Sequence, residues 1–193
     1  WLRRLDADNP HDIEMYKLIE AQSEVAKWME KGDMTIEEVK ELLSNEGQVF
    51  YGICQNENQD RIDGWISVYE PEAELVDRLI EQKLIGSKDA KILEISFARY
   101  IDPNVLPENQ KKGLVSSAVR QICFSLSEKE KNVVIVAFTN PHNLPSEGVL
   151  KNAGFVMGGK ILYDEDSKEE DNFWVLDKEE LEKALRNKKA KQV

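Results

Sequence analysis

The chain has 193 residues, 41% of them hydrophobic and 33% charged, which fits one soluble domain able to bury a core without covalent staples. A net charge of −11 argues against a general nucleic-acid binder, because neutralising phosphates requires a basic surface. No apolar run approaches the ~18 residues of a membrane-spanning helix. The two cysteines, Cys54 and Cys123, have no CxxC partner, so buried thiols are expected rather than a disulfide or a zinc site.

From the N-terminus, residues 1–5 read as a short strand. Asp8-Asn9-Pro10 then punctuates, with proline suited to a first helical turn. Ile13, Tyr16, Leu18, Ile19, Val25, Trp28 and Met29 predict a long helix, or two broken near Gln22-Ser23. Thr35 with Glu38 is a capping-box pattern opening a helix through Val39, Leu42 and Leu43. Residues 49–54 and 62–69 flank a polar turn and predict a hairpin. Residues 72–85 have helical spacing and stop at Gly86, and a strand follows over 92–101. Leu114, Val115, Ala118, Ile122 and Leu126 mark one buried helical face. Strand 133–138, a short helix, and strands 156–163 and 173–176 come next, with a last helix from about Lys178. Residues 183–193 hold five basic side chains and no acidic ones, leaving −16 on the remainder; this tail reads as a helix end favoured by its own dipole. No internal repeat or linker appears. The expectation is a single α/β domain over 1–193 with a basic C-terminal helix and tail from about 178.

Gln110-Lys111-Lys112-Gly113-Leu114-Val115 sits between an apolar strand and an amphipathic helix. A glycine there lets a ligand approach the backbone, and the first-turn amides point outward with the positive end of the helix dipole. Together with Lys111 and Lys112 this suits a pyrophosphate. Downstream come Asn143, Ser146 and then Gly154-Phe155. The order and spacing of these two segments resemble the GNAT superfamily of acetyl-CoA-dependent N-acetyltransferases. Its coenzyme loop runs Gln/Arg-x-x-Gly-x-Gly/Ala, and its next block often runs Asn-x-x-Ser before a Gly-Phe pair.

That resemblance implies a mixed, largely antiparallel central sheet flanked by helices, with the fourth and fifth strands splayed, and makes residues 72–90 a helical insertion. It implies acetyl-CoA as co-substrate, no metal, and acetyl transfer to a primary amine by direct attack in a ternary complex. The acceptor would be an amine-bearing small molecule or protein. By position, the backbone of Ala98, Arg99 and Tyr100 would pair with pantetheine. The amides of Gln110, Lys111, Lys112, Gly113, Leu114 and Val115, with Ser116, would hold the pyrophosphate. Asn143 would bond pantetheine and Ser146 would lie near the thioester sulfur. A turn-forming role for Asn143 and an N-cap role for Ser146 are the structural alternatives. The chain departs from the family pattern at Val115, where a small residue is usual, in the lengthened segment 102–109, and at Leu150, where many members carry a tyrosine acid.

The chemistry asks for a proton acceptor. A lysine-like amine with a pKa near 10.4 costs about 4.6 kcal/mol to deprotonate at pH 7. Glu94, a charge inside an apolar strand, is the catalytic candidate, with a structural hydrogen bond as the alternative. Strict alternation would put Glu94, Ser96, Ala98 and Tyr100 on a cleft face and Leu93, Ile95 and Phe97 on the core. Tyr163, Tyr100 or no residue at all would serve as acid for the leaving thiolate, since a thiol ordinarily titrates near about 8.5. His11 and His142 lie near no cysteine or carboxylate cluster. The acidic run 164–171 reads as a solvated loop, or as a lure for a cationic amine. No signal-peptide pattern is visible, so a cytoplasmic location is expected. The competing reading is a degenerate acyl-CoA-binding or protein-interaction domain.

Overall fold

The structure is a computed structural model, and it describes residues 1–29, 34–54, 61–86, 89–105, 112–163, 169–179, 181, 182 and 185. Gln110 and Lys111, most of the turn over 56–61, most of the acidic run and most of the basic tail lie outside the described residues. Packing divides the chain into two compact units, residues 1–69 with 96–118, and residues 70–95 with 119–193.

In the first unit, β1 (Leu2–Arg4) pairs antiparallel with β2 (Gln48–Cys54), and β2 pairs antiparallel with β3 (Ile62–Tyr69) as the expected hairpin. Helix α1 (Pro10–Glu20) starts on Asn9, whose side chain accepts from the His11 amide, with Pro10 in the first turn. The helical pattern is broken at Ala21 and Gln22, and α2 (Ser23–Met29) begins just after. Gln22 explains the break. Its carboxamide nitrogen donates to the Ile101 carbonyl at 2.7 Å, and its oxygen accepts the Ile101 amide at 2.9 Å. Those two bonds also end the strand before Ile101, two residues short of the expectation. Helix α3 (Ile36–Ser44) carries the predicted capping box between Thr35 and Glu38. The core centres on Tyr16, Phe50 and Trp65, with ring centroids 5.5–5.6 Å apart. Glu20 is buried there, and its Oε1 accepts from the Trp65 indole at 3.0 Å. Burial, and then the Glu20 charge, push the Tyr16 phenol well above its ordinary pKa.

Strand β4 (Lys91–Arg99) and helix α5 (Leu114–Lys129) each contribute to both units. In the second unit, the N-terminal part of β4 runs parallel to β5 (Val133–Thr139), with a ladder from Lys91–Val133 to Glu94–Val136. The other pairings are antiparallel: β5 with β7 (Asp171–Leu176), and β7 with β6 (Phe155–Ile161). Strand order is β1-β2-β3-β4-β5-β7-β6, a mixed, largely antiparallel sheet with flanking helices. Helix α6 (Leu144–Ala153) joins β5 to β6. The segment between β3 and β4 contains α4 (Ala73–Glu81), which ends four residues earlier than its spacing predicts. Lys83 takes φ +58°, and the amides of Leu84 and Ile85 turn back onto the Leu79 carbonyl. Leu84 and Ile85 therefore join the cluster of Leu75, Leu79, Ile92, Val136, Ile161 and Phe173 from a turn, not from a helix. Among the described residues no helix is long and apolar enough to cross a membrane.

Candidate active site

Lys112 to Ser116, the described part of the segment expected to hold the coenzyme, lie in the first unit. Gly113 holds φ +76°, and a Cβ built on it meets no described atom within 4 Å. Its carbonyl accepts the Ser117 amide at 3.0 Å, closing the first turn of α5. The amides of Leu114, Val115 and Ser116 consequently have no acceptor inside the helix, and glycine at the N-cap supplies no side chain to satisfy them. A helix start of that kind suits an anion. Lys112 and Gly113 are exposed and Leu114 is half-buried. Val115 and Ser116 are buried at 5% exposure, so the bulk that departs from the family pattern at Val115 is taken into the core.

Upstream, the Tyr100 amide donates to the Asp63 carbonyl at 2.9 Å, and the Ala98 carbonyl lies 2.5 Å from where a Gly64 Cβ would stand. Both residues thus turn their polar backbone toward β3. Strand alternation turns the amide and carbonyl of Arg99 to the opposite edge. Of the three residues expected to pair with pantetheine, Arg99 is the one whose backbone orientation suits it. The same unit has a cavity of about 570 Å³ beside α1 and α3, lined by Ile13, Tyr16, Leu18, Met34, Ile36 and Lys40 among others.

Glu94 lies in the second unit and is only 4% exposed. The alternation expected around it does not hold, because Ile92, Leu93, Glu94 and Ile95 are all buried. A strand covered on both faces reads as a continuous apolar run, and Glu94 is the one charge within it. Its partner is Tyr163, whose phenol donates to Oε1 at 3.1 Å and Oε2 at 3.3 Å. The Tyr163 ring packs edge-on against Phe138 at 4.9 Å, and Phe138 packs against Phe173 at 5.6 Å. Arg78 of α4 donates to the Tyr163 carbonyl at 2.8 Å. Sequence reading reached Tyr163 only as one of several acids and missed Arg78 and Phe138. Nothing local marks residues that meet only through the fold.

At the start of α6 the two structural alternatives exchange places. Asn143 is the N-cap, its Oδ1 accepting the Ser146 amide at 3.3 Å, and Ser146 stands in the first turn. The reason is the order Asn143-Leu144-Pro145-Ser146: proline takes an early helical position, where its missing N–H costs nothing, and that places the cap at Asn143. Capping uses Oδ1 and leaves the Asn143 amide nitrogen able to donate. Leu150 is fully buried, so the position of the family's tyrosine acid is a core position here. Neither cysteine forms a disulfide and both are buried, with burial pushing each thiol up. Among the described residues no group of three or more His, Cys, Asp or Glu is placed to hold a metal ion.

The family described as "Acetyltransferase (GNAT) domain" matches residues 1–156. No curated protein sequence matches the chain significantly. Among solved structures, an uncharacterised protein (bh2621) from Bacillus halodurans is similar at 15% identity and TM-score 0.71, over 100% of this chain and 91% of that one. The GNAT-family acetyltransferase from Bacillus anthracis is similar at 16% identity and TM-score 0.64, over 91% and 92% of the two chains. AAC(6')-Ib in complex with paromomycin and acetyl-CoA is similar at 18% identity and TM-score 0.62, over 94% of each chain. At these identities the likeness is one of fold, whereas the family match covers most of the sequence. On that match, and with the fold it describes, this chain belongs to the GNAT acetyltransferase family.

Proposed function

We propose that this protein transfers the acetyl group of acetyl-CoA to a primary amine by direct attack in a ternary complex, with Glu94 as proton acceptor. The observation that carries the proposal is the Glu94–Tyr163 pair. The pair sets a carboxylate and a phenol, a base and an acid, within one hydrogen bond of each other in apolar surroundings; a structural hydrogen bond is the alternative, and turnover of the Glu94 variant separates the two. The positive φ of Gly113, the absence of described atoms near its Cβ position and the first-turn amides of α5 support pyrophosphate binding. Arg99 backbone and the Asn143 amide nitrogen support pantetheine binding. Gln110, Lys111, Lys112 and Ser116 complete the proposed coenzyme contacts, and Ser146 the proposed thioester side; the backbone of Ala98 and Tyr100, turned toward β3, is not among them.

Acetyl-CoA supplies an activated acyl group with a thiolate leaving group. In the transfer a C–N bond forms, the C–S bond breaks, and the proton released by the amine passes to Glu94, directly or through water. The thiolate then takes a proton. Tyr163 is the available donor, and Glu94 can return the proton to it across the same hydrogen bond. The net charge of −11 favours a cationic acceptor, and the aminoglycoside complexes among the structural relatives are of that chemical class.

Glu94→Gln, which keeps the shape and removes the base, is expected to lower kcat by about 10²-fold or more with little change in the KM for acetyl-CoA. Unchanged turnover with an unchanged acid limb in the pH profile would sink the assignment. The buried Leu150 favours a second reading, a domain that binds acyl-CoA without turnover. Binding of acetyl-CoA with no thiol released over a broad amine panel would select it.

A further inference from the structure

The reaction proposed above makes no use of α4, yet the helix is tied to the Glu94–Tyr163 pair at several points. Leu75 and Leu79 belong to the same buried cluster as Ile92 and Val136, and Phe138 and Tyr163 pack against that cluster. Beyond the helix, Leu84 closes on β6: a Cβ added at Gly159 would stand 2.7 Å from Leu84 Cδ2, and Gly159 holds φ +157°. Arg78, in the last turn of α4, donates to the backbone carbonyl of Tyr163 at 2.8 Å.

We propose that α4 is a strut for the catalytic pair, in which Arg78 fixes the Tyr163 backbone so that the phenol stays on the Glu94 carboxylate. Arg78 is then a positioning residue that acts through Tyr163. A guanidinium donor makes a charge-assisted bond of defined direction, roughly twice as strong as a neutral one. The Tyr163 hydroxyl straddles both carboxylate oxygens, at 3.1 and 3.3 Å. These are long O–H···O contacts, so a small displacement of Tyr163 removes them. The edge-on Phe138 contact holds the ring and the Arg78 bond holds the main chain, and the two together determine where the hydroxyl lies. The effect on turnover rests on the proposed role of Glu94; the mechanical coupling does not.

The coupling is read from the tyrosine ring-carbon NMR signal of Tyr163, identified by its loss in Tyr163→Phe. In the otherwise unaltered protein, Glu94→Gln is expected to move this signal. In Arg78→Ala the signal is already displaced, Glu94→Gln moves it no further, and Arg78→Lys restores it in part. Arg78→Ala is also expected to lower kcat about 10- to 100-fold at unchanged KM for acetyl-CoA, and to add no further loss to Tyr163→Phe. A Tyr163 signal indifferent to Arg78→Ala, or losses that multiply in the double variant, would overturn the proposal. Should the alanine variant fail to fold, Arg78→Gln keeps the stem and a neutral donor, and the same readings apply to it. If the signal couples as expected while Glu94→Gln turns over normally, the strut stands and the catalytic reading of Glu94 falls.

Discussion

Gly113 holds φ +76° with no described atom within 4 Å of an added Cβ, so among the described residues backbone conformation, not space, excludes a side chain there. The left-handed region costs an ordinary L-residue about 1–2 kcal/mol, less for asparagine and more for a β-branched side chain. Gly113→Val is therefore expected to weaken acetyl-CoA binding by about 10-fold or more in a calorimetric titration, with Gly113→Asn intermediate. Equal losses for both would mean that bulk, not backbone conformation, decides. Glu94 carries a different lesson. Its charge inside an apolar strand is visible in the sequence and marks it as unusual. Its burial and its phenol partner are not visible, because Tyr163 lies 69 residues away, beyond β6, and β6 is separated from β4 in the sheet by β5 and β7. Asn143 and Ser146 were legible as a helix start, but which of them caps depended on proline preferring an early helical position.

Elements with local punctuation were read well. The capping box at Thr35, the break near Gln22 and the hairpin of β2 and β3 all depend on residues a few positions apart. Thr35→Ala removes the side chain that accepts the Glu38 amide and is expected to cost about 1 kcal/mol in urea unfolding at pH 7. The Glu38 carboxylate is held below its ordinary value of 4.5, first by the Thr35 amide and then by its hydroxyl. A depressed carboxylate pKa contributes stability that is present above the ordinary value and lost as pH falls through the folded one. The part of this that comes from the Thr35 hydroxyl is lost in Thr35→Ala, so the difference between wild type and variant should shrink between pH 7 and pH 3; a constant difference would leave the Glu38 carboxylate held by the Thr35 amide alone. The end of α4 was misread because apolar spacing continues through Leu84 and Ile85 after the backbone has left the helix at Lys83. Periodicity records which residues are buried, and a turn can bury them as well as a helix does.

For the whole molecule, the family match and the fold lead to one direct expectation. Acetyl-CoA at a hundred times its Kd should add about 2.7 kcal/mol of stability and raise Tm by roughly 5–10 °C. No shift, with no heat in a titration, would count against the coenzyme site as a whole. What the sequence by itself determined was the family, the alternation of strands and helices, the Gly113 helix start and Glu94 as an unusual charge. Each of these is written within a few residues of chain, where spacing, capping and glycine conformation act. The tertiary structure alone decided that Val115 and Leu150 face the core, that Arg99 turns its backbone away from β3, and that Arg78, Tyr163 and Glu94 form one chain of hydrogen bonds. Those outcomes depend on which distant segments come together to bury apolar surface, and no local spacing records that.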